Sequence, residues 1–162
     1  MARRNLSAEV LSALAGKRLA TAESLTGGGI GAALTSVSGA SAVFAGGIIS
    51  YTNEVKNKVL GVPVETLNAC GAVSAPVAQA MAQGARRVIG ADVAVAVTGL
   101  AGPDGDAFGN PVGTVFIGYA DEQTALARKY HFDGDRAEVR EQTIEAALEL
   151  ILQMRRCGDG RE

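Results

Sequence analysis

The chain contains no tryptophan, a single histidine and only two cysteines among its 162 residues. Cys70 and Cys157 lie far apart in the sequence and belong to no CxxC motif, so we expect neither a structural disulfide nor a zinc site. His131 stands between Tyr130 and Phe132 in a strand-like segment, where packing or an edge position is the simpler interpretation. A hydrolase of the Ser-His-Asp type is therefore not predicted.

Charge and hydropathy restrict the partners further. The formal net charge is -2 and aromatic residues make up 4% of the chain, which gives no general attraction to nucleic acid or to an anionic membrane. No apolar stretch reaches the roughly 20 residues of a membrane span, and residues 1–4 precede a polar segment rather than the apolar core of a signal peptide. We expect a cytoplasmic protein with no nucleic-acid or membrane partner.

The order of helix-like and strand-like segments predicts the fold. We expect one α/β domain over residues 1–154, a three-layer mixed sheet with helices on both faces, followed by a frayed polar tail at 155–162. The predicted segments are a helix at 8–15 with Ser7 as its N-cap, a strand at 18–23, a helix at 27–35, a strand at 43–52, helices at 53–60, 64–70 and 75–89, a strand at 92–98, a hairpin of strands at 113–120 and 124–132, and a closing helix capped by Asp135.

A glycine-rich turn at Gly27, Gly28 and Gly29 follows the first predicted strand. Backbone N–H groups at a helix N-terminus suit a phosphate, and we favour a mononucleotide or another phosphate there. Two alternatives stay open. The glycines also match a loose dinucleotide pattern with Glu54 as the ribose-binding acid, or they only permit a tight turn and close helix packing.

Hydroxyl and amine side chains crowd the second predicted strand, and Ser41 and Lys56 are among them. A lysine in a closed cleft can lose its proton near neutral pH and then activate a serine hydroxyl, without any histidine. Residue statistics alone instead favour a solvated Lys56 and an unremarkable Ser41.

Two further features are candidates for binding. Thr98 ends the most apolar predicted strand and precedes a long loop that contains Asp104, and ligands bind at such strand ends in α/β sheets. Arg136 and Arg140 lie one turn apart near the start of the closing helix, where a guanidinium can clamp a phosphate. The alternatives are an ordinary connection, a turn stabilised by Asp104, and a solvated helix face that pairs with Glu141 or Asp135.

Taken together, five ordered blocks resemble the CinA C-terminal domain family, and the resemblance runs from about residue 6 to 153. The blocks are TAESLTGG at 21–28, GGIISYTNEVK at 46–56, GAVS at 71–74, TGLAGPDG at 98–105 and PVGTV at 111–115. That family includes nicotinamide mononucleotide deamidases, which release ammonia from the carboxamide of the nucleotide in pyridine-nucleotide recycling. The resemblance implies no metal or redox cofactor, a homo-oligomer with a dimer favoured, and the form that lacks the N-terminal domain of larger CinA proteins.

The resemblance also implies roles for individual residues. Ser41 would be the nucleophile and Lys56 its base. An acyl-enzyme would form after attack on the amide carbon, and the lysine ammonium would protonate the departing ammonia. The main alternative is a non-catalytic nucleotide-binding or regulatory module linked to competence or DNA damage.

Substrate contacts follow from the same resemblance. Ser24 and Thr98 would line the site, and Tyr51 would pack on the pyridine ring or donate a hydrogen bond to the substrate. Arg140 would hold the phosphate, with Arg136 as the alternative. The glycines Gly27 and Gly28 would shape or bind the nucleotide.

Overall fold

The computed structural model describes residues 4–159. The strands are β1 (Leu19–Glu23), β2 (Phe44–Ile49), β3 (Val93–Gly99), β4 (Thr114–Ala120) and β5 (Ala125–His131). The helices are α1 (Leu6–Ala13), α2 (Gly29–Thr35), α3 (Asn53–Lys58), α4 (Val64–Cys70), α5 (Ala75–Ile89) and α6 (Arg136–Asp159), and a short 3₁₀ turn covers Ala40–Ala42.

The five strands form one mixed sheet in the order β2-β1-β3-β4-β5. Strand β1 pairs in parallel with both β2 and β3, whereas β4 pairs antiparallel with β3 and β5. At the end of β1, Glu23 lies opposite Ile49 on one side and Val97 on the other. The carboxyl ends of three strands therefore meet at one edge of the sheet.

The two faces of the sheet carry side chains of different size. On β3, Val93, Val95 and Val97 pack in a core cluster with α1, α2 and α6, while Ala94 and Ala96 face the cluster that contains α5. Alternation of this kind is the period-two pattern of a strand covered on both sides. The predicted single-domain, three-layer mixed sheet is confirmed.

Helix α5 approaches its neighbours so closely that two positions require glycine. A β-carbon at Gly84 would meet the backbone carbonyl of Leu60, which precedes α4, and one at Gly118 of β4 would meet the carbonyl of Ala78 in α5. Because backbone cannot yield as a flexible side chain does, these contacts fix the position of α5 on the sheet. The helix in turn supports the segment that follows α3.

The N-caps of the first and the last described helix differ in how well the sequence predicts them. Asn5, not Ser7, caps α1, because its side-chain oxygen accepts from the N–H of Ala8 at 3.1 Å. Asp135 caps α6 as predicted: its carboxylate accepts from the N–H of Glu138 at 2.9 Å, and the Glu138 carboxylate accepts from the N–H of Asp135 at 3.1 Å. This reciprocal pair is a capping box.

The final helix is longer than the sequence predicted. Helix α6 continues to Asp159, so residues 155–159 are helical where we expected a frayed tail. Met154 remains buried, and the Arg156 side chain donates to the carbonyl of Leu152, so the last turns are still tied to the body of the helix. Residues 160–162 of the predicted tail lie outside the described residues. Within residues 4–159, no helix combines the length and hydropathy needed to cross a membrane.

We expect Gly84→Ala to lower the free energy of unfolding by about 1–3 kcal/mol, because the added methyl group overpacks the contact with Leu60. Urea denaturation followed by circular dichroism measures this change. The control is Gln83→Ala, an exposed position on the same helix, which should stay within about 0.5 kcal/mol of the parent. Equal stability of the two variants would contradict the close approach.

Candidate active site

A cavity of about 290 Å³ opens at the sheet edge where β1, β2 and β3 end. Its position agrees with the rule that ligands of α/β sheets bind beyond the carboxyl ends of the strands. The lining includes Ser24, Tyr51, Lys56, Thr98, Asp104 and Arg136. The structure therefore brings together four of the predicted site residues, namely Ser24, Tyr51, Lys56 and Thr98.

Lys56 lies in α3 and is only 1% exposed. The hydroxyl of Thr52 caps this helix by accepting from the N–H of Val55, which turns the lysine towards the end of β2. The Lys56 Nζ donates to Ser24 Oγ at 3.2 Å, to the Ser50 carbonyl at 2.9 Å and to the Tyr51 carbonyl at 3.4 Å. Each N–H of the ammonium thus has one acceptor.

Burial lowers the pKa of Lys56 to about 8. Its three hydrogen-bond acceptors are uncharged, and no salt bridge of the described residues includes this lysine. No opposite charge therefore offsets the loss of solvation. When the lysine is neutral, two N–H groups still satisfy the carbonyls, and the lone pair is free to accept the Ser24 hydroxyl proton.

Ser24 stands at the junction of β1 and the turn that leads into α2. It is 7% exposed, its N–H donates to the Val97 carbonyl of β3, and its own carbonyl accepts from the N–H of Gly27. Gly27 and Gly28 have φ values of +59° and +103°, which side-chain-bearing residues rarely adopt. The chain therefore reverses within a few residues and presents the serine hydroxyl at the sheet edge, as in a strand–nucleophile–helix elbow.

Two backbone donors lie directly after this serine. In the described part of the chain, the N–H groups of Leu25 and Thr26 donate to no acceptor. Leu25 lines the cavity although its side chain belongs to the core cluster beneath α2 and α6, which indicates that its backbone faces the cavity. A free N–H group that faces a cavity beside a hydroxyl is suited to stabilise an oxyanion, and Leu25 has this position, whereas Thr26 does not line the cavity.

The N-terminus of α2 is already occupied by the chain itself. The N–H groups of Ile30 and Gly31 donate to the Glu23 carboxylate at 2.8 Å and 3.0 Å. These donors are not free for a phosphate, and the glycine turn does not line the cavity. The geometry favours the tight-turn interpretation of the glycines, while substrate contact by Gly27 and Gly28 stays a prediction.

The mouth of the cavity is crossed by Arg136, the first residue of α6. Its guanidinium donates from Nη1 to the Gly102 carbonyl at 2.6 Å and from Nη2 to the Tyr51 hydroxyl at 3.2 Å. Arg136 is thus the cation at the entrance of the cavity.

Thr98 uses its hydroxyl to donate to the Ala72 carbonyl at 2.8 Å and so joins β3 to the segment before α5.

Arg140 has a different place from the one predicted for a phosphate-binding residue. Its Nε donates to the Leu25 carbonyl at 2.9 Å and its Nη2 to the Thr26 carbonyl at 3.3 Å. It supports the turn after Ser24 and is not among the residues that line the cavity. Of the two arginines left open by the sequence, the geometry favours Arg136 for the ligand.

Ser41 and Lys56 are not brought together within one chain. Ser41 is exposed in the 3₁₀ turn before β2, where its carbonyl accepts from Arg18, whereas Lys56 follows the opposite end of that strand. The six residues of β2 span about 20 Å. The predicted pairing is corrected: the hydroxyl beside Lys56 belongs to Ser24. The sequence feature that could have indicated Ser24 is its position directly after a fully buried strand.

Two other candidate acids and the single histidine also have definite places. Glu54 pairs with Lys58 at 2.7 Å on the surface of α3, which does not favour a ribose contact. Asp104 is among the residues that line the cavity. His131 is exposed at the end of β5, 3.3 Å from the Asp133 carboxylate.

Two bacterial proteins are similar in sequence to most of this chain. The nicotinamide-nucleotide amidohydrolase PncC of Pseudomonas putida is 47% identical over 137 residues, which cover 85% of this chain and 86% of that protein. A CinA-like protein of Geobacter sulfurreducens is 50% identical over 136 residues, which cover 84% of this chain. The match covers 33% of that protein, so the chain spans about a third of the length of the longer relatives.

Solved structures agree closely with this fold. A CinA superfamily protein from Klebsiella pneumoniae superposes with a TM-score of 0.91 at 34% identity, covering 94% of this chain and 98% of that one. The competence/damage inducible protein CihA from Agrobacterium tumefaciens gives a TM-score of 0.88 at 38% identity and covers 94% and 97%. The family model described as the CinA C-terminal domain matches residues 3–155. The chain belongs to the CinA C-terminal domain family.

Proposed function

We propose that this protein is an amidohydrolase that converts nicotinamide mononucleotide and water to nicotinic acid mononucleotide and ammonia in pyridine-nucleotide recycling. The observation that carries the proposal is the contact between the buried Lys56 Nζ and Ser24 Oγ, 3.2 Å apart at the cavity. The name of the Pseudomonas putida relative supports the nucleotide amide as the substrate.

The first half of the reaction forms an acyl-enzyme. Ser24 Oγ attacks the carboxamide carbon while its proton passes to the neutral Lys56 Nζ. The N–H group of Leu25, which lines the cavity, stabilises the oxyanion of the tetrahedral intermediate. The Lys56 ammonium then returns the proton to the amide nitrogen, the carbon–nitrogen bond breaks, and ammonia leaves an ester on Ser24.

The second half releases the acid. Lys56 is neutral again after ammonia has left, so it takes a proton from water as the water oxygen attacks the ester carbon. The second tetrahedral intermediate expels the Ser24 oxygen, which recovers its proton from the lysine. The acid product leaves, and serine and lysine return to their starting protonation states.

The charges at the cavity mouth complement this substrate. The pyridinium ring carries a positive charge and the phosphate a negative charge, and the mouth offers the carboxylate of Asp104 and the guanidinium of Arg136. Arg136 retains N–H groups beyond the two that contact Gly102 and Tyr51, and these suit a phosphate oxygen. The phenol of Tyr51, which is 60% exposed, borders the same entrance.

The decisive assay incubates the purified protein with nicotinamide mononucleotide without added metal and measures ammonia together with the deamidated nucleotide by chromatography. Equal amounts of both products support the amidohydrolase. Binding of the nucleotide without turnover would instead support a regulatory nucleotide-binding module and overturn the proposal.

Replacing Ser24 by alanine is expected to reduce kcat by on the order of 10³-fold or more, because it removes the nucleophile. Ser41→Ala serves as the matched control and should keep kcat within about twofold, since its hydroxyl lies beyond the other end of β2. Initial rates of ammonia release decide between them. A large loss in Ser41→Ala with an active Ser24→Ala would restore the original assignment of the nucleophile.

The activity should rise with pH through about pH 8. Only the neutral amine of Lys56 accepts a proton, and burial lowers the pKa of this group to about 8. Below that pH, kcat/KM should fall about tenfold per pH unit, and above it the profile should level off. The measurement is kcat/KM between pH 6 and pH 10.

Two lysine variants complete this test. Lys56→Met should abolish turnover, whereas Lys58→Met, which removes an exposed lysine paired with Glu54 in the same helix, should keep the wild-type profile. A flat profile in the wild type over this range would contradict a lysine base.

Arg136→Ala is expected to raise KM for nicotinamide mononucleotide by about 10- to 100-fold, the range typical of a lost hydrogen bond to a charged group. The change should be much smaller for nicotinamide riboside, which has no phosphate. Steady-state kinetics with both substrates measure the difference. An equal effect on the two substrates would show that Arg136 does not bind the phosphate.

A further inference from the structure

Glu23 is a buried carboxylate that the proposed reaction does not use. It is 2% exposed and accepts four hydrogen bonds, all from uncharged groups. Its Oε1 accepts from Thr26 Oγ1 at 2.6 Å and from the N–H of Ile30 at 2.8 Å. Its Oε2 accepts from the N–H of Gly31 at 3.0 Å and from Thr21 Oγ1 at 3.3 Å.

The carboxylate takes the place of a helix cap. The N-cap residue of α2 is Gly28, which has no side chain to bond the first N–H groups of the helix. Glu23 supplies the missing acceptors from the preceding strand, and the positive end of the helix stabilises its charge. A single side chain therefore ties β1, the turn and α2 together.

The same residue is connected to both members of the Ser24–Lys56 pair. Successive residues of a strand point to opposite faces, so Ser24 turns to the cavity while the Glu23 side chain lies behind the turn. The Glu23 carbonyl accepts from the N–H of Ser50 at 2.8 Å, and the Ser50 carbonyl accepts from Lys56 Nζ at 2.9 Å. Through Thr26, the carboxylate also holds the segment that carries the free N–H groups.

We propose, on the basis of the function proposed above, that Glu23 is a positioning residue for the nucleophile. Its carboxylate holds Thr26 and the start of α2 so that the Ser24 hydroxyl and the N–H groups after it keep their geometry relative to Lys56. Such a residue acts on the reacting geometry and not on substrate affinity. Its loss lowers kcat and leaves KM nearly unchanged.

The test removes one hydrogen bond at a time. Thr26→Val deletes the hydroxyl that donates to Glu23 at nearly constant volume, and it should lower kcat about 10- to 100-fold with KM within about twofold. Thr26→Ser keeps the hydroxyl and should restore kcat to within about threefold of the wild type. Glu23→Gln places a donor where Gly31 or Ile30 also donates, so its kcat should fall at least as far.

The control is Thr143→Val. Thr143 is 0% exposed and donates to the Val139 carbonyl within α6, so this variant also loses a buried threonine hydroxyl but one that is not bonded to Glu23. It should keep the wild-type kcat. Thermal unfolding of each variant shows whether a loss of rate follows a loss of stability.

The outcomes separate the two proposals. If the wild-type protein turns over the substrate, and kcat is lost in Thr26→Val and recovered in Thr26→Ser, the positioning role is supported even if Glu23→Gln does not fold. If the wild-type protein turns over the substrate but kcat is unchanged in Thr26→Val, only the positioning role is overturned. The same holds if Thr143→Val loses as much kcat as Thr26→Val does. No turnover in the wild type overturns both proposals.

Discussion

A lysine ammonium that has been taken out of water dominates the architecture of this protein. Lys56 is stable in its place only because the Ser24 hydroxyl and the carbonyls of Ser50 and Tyr51 converge on its three N–H groups. This convergence requires that β1 and β2 end at the same edge of the sheet and that α3 begins directly beyond β2. The parallel pairing of the two strands is therefore a condition of the site as well as of the fold.

A second principle is that side chains of the protein itself form hydrogen bonds with most of the free backbone groups near the cavity. Glu23 takes the N–H groups at the start of α2, and Arg140 takes the carbonyls of Leu25 and Thr26. The described turn leaves the N–H groups of Leu25 and Thr26, next to Ser24, and that of Gly28 without an acceptor. The surrounding hydrogen bonds thus select which polar groups remain available to a ligand, and they hold those groups before any ligand arrives.

Much of the fold could be predicted from the sequence, because its signals are local. The uninterrupted apolar run of β3, the glycine after α5 and the aspartate before α6 each predict an element or its end. The least accurate predictions were the ends of elements, such as Asn5 rather than Ser7 as the cap of α1. The choice there depends on which of two polar side chains reaches the helix, and packing buries Ser7.

The site was predicted less completely, since its contacts are not local. Ser41 is nearer to Lys56 in sequence than Ser24 is, but an intervening strand separates the first pair and a parallel strand pairing brings the second together. The same reason applies to the arginines: sequence spacing places Arg136 and Arg140 on one helix, and only the packing of that helix shows which one reaches the cavity. Residue type was informative, and distance along the chain was not.

The part played by α6 also has a consequence for biosynthesis. This helix follows all five strands in the sequence, yet its first residue crosses the cavity mouth and its second turn supports the turn after Ser24. A nascent polypeptide that has exposed every strand still lacks both arginine contacts while α6 remains in the ribosomal exit tunnel. The arrangement around Ser24 is therefore complete only once α6 has emerged, and a polypeptide that stops before Arg136 has all five strands without either arginine contact.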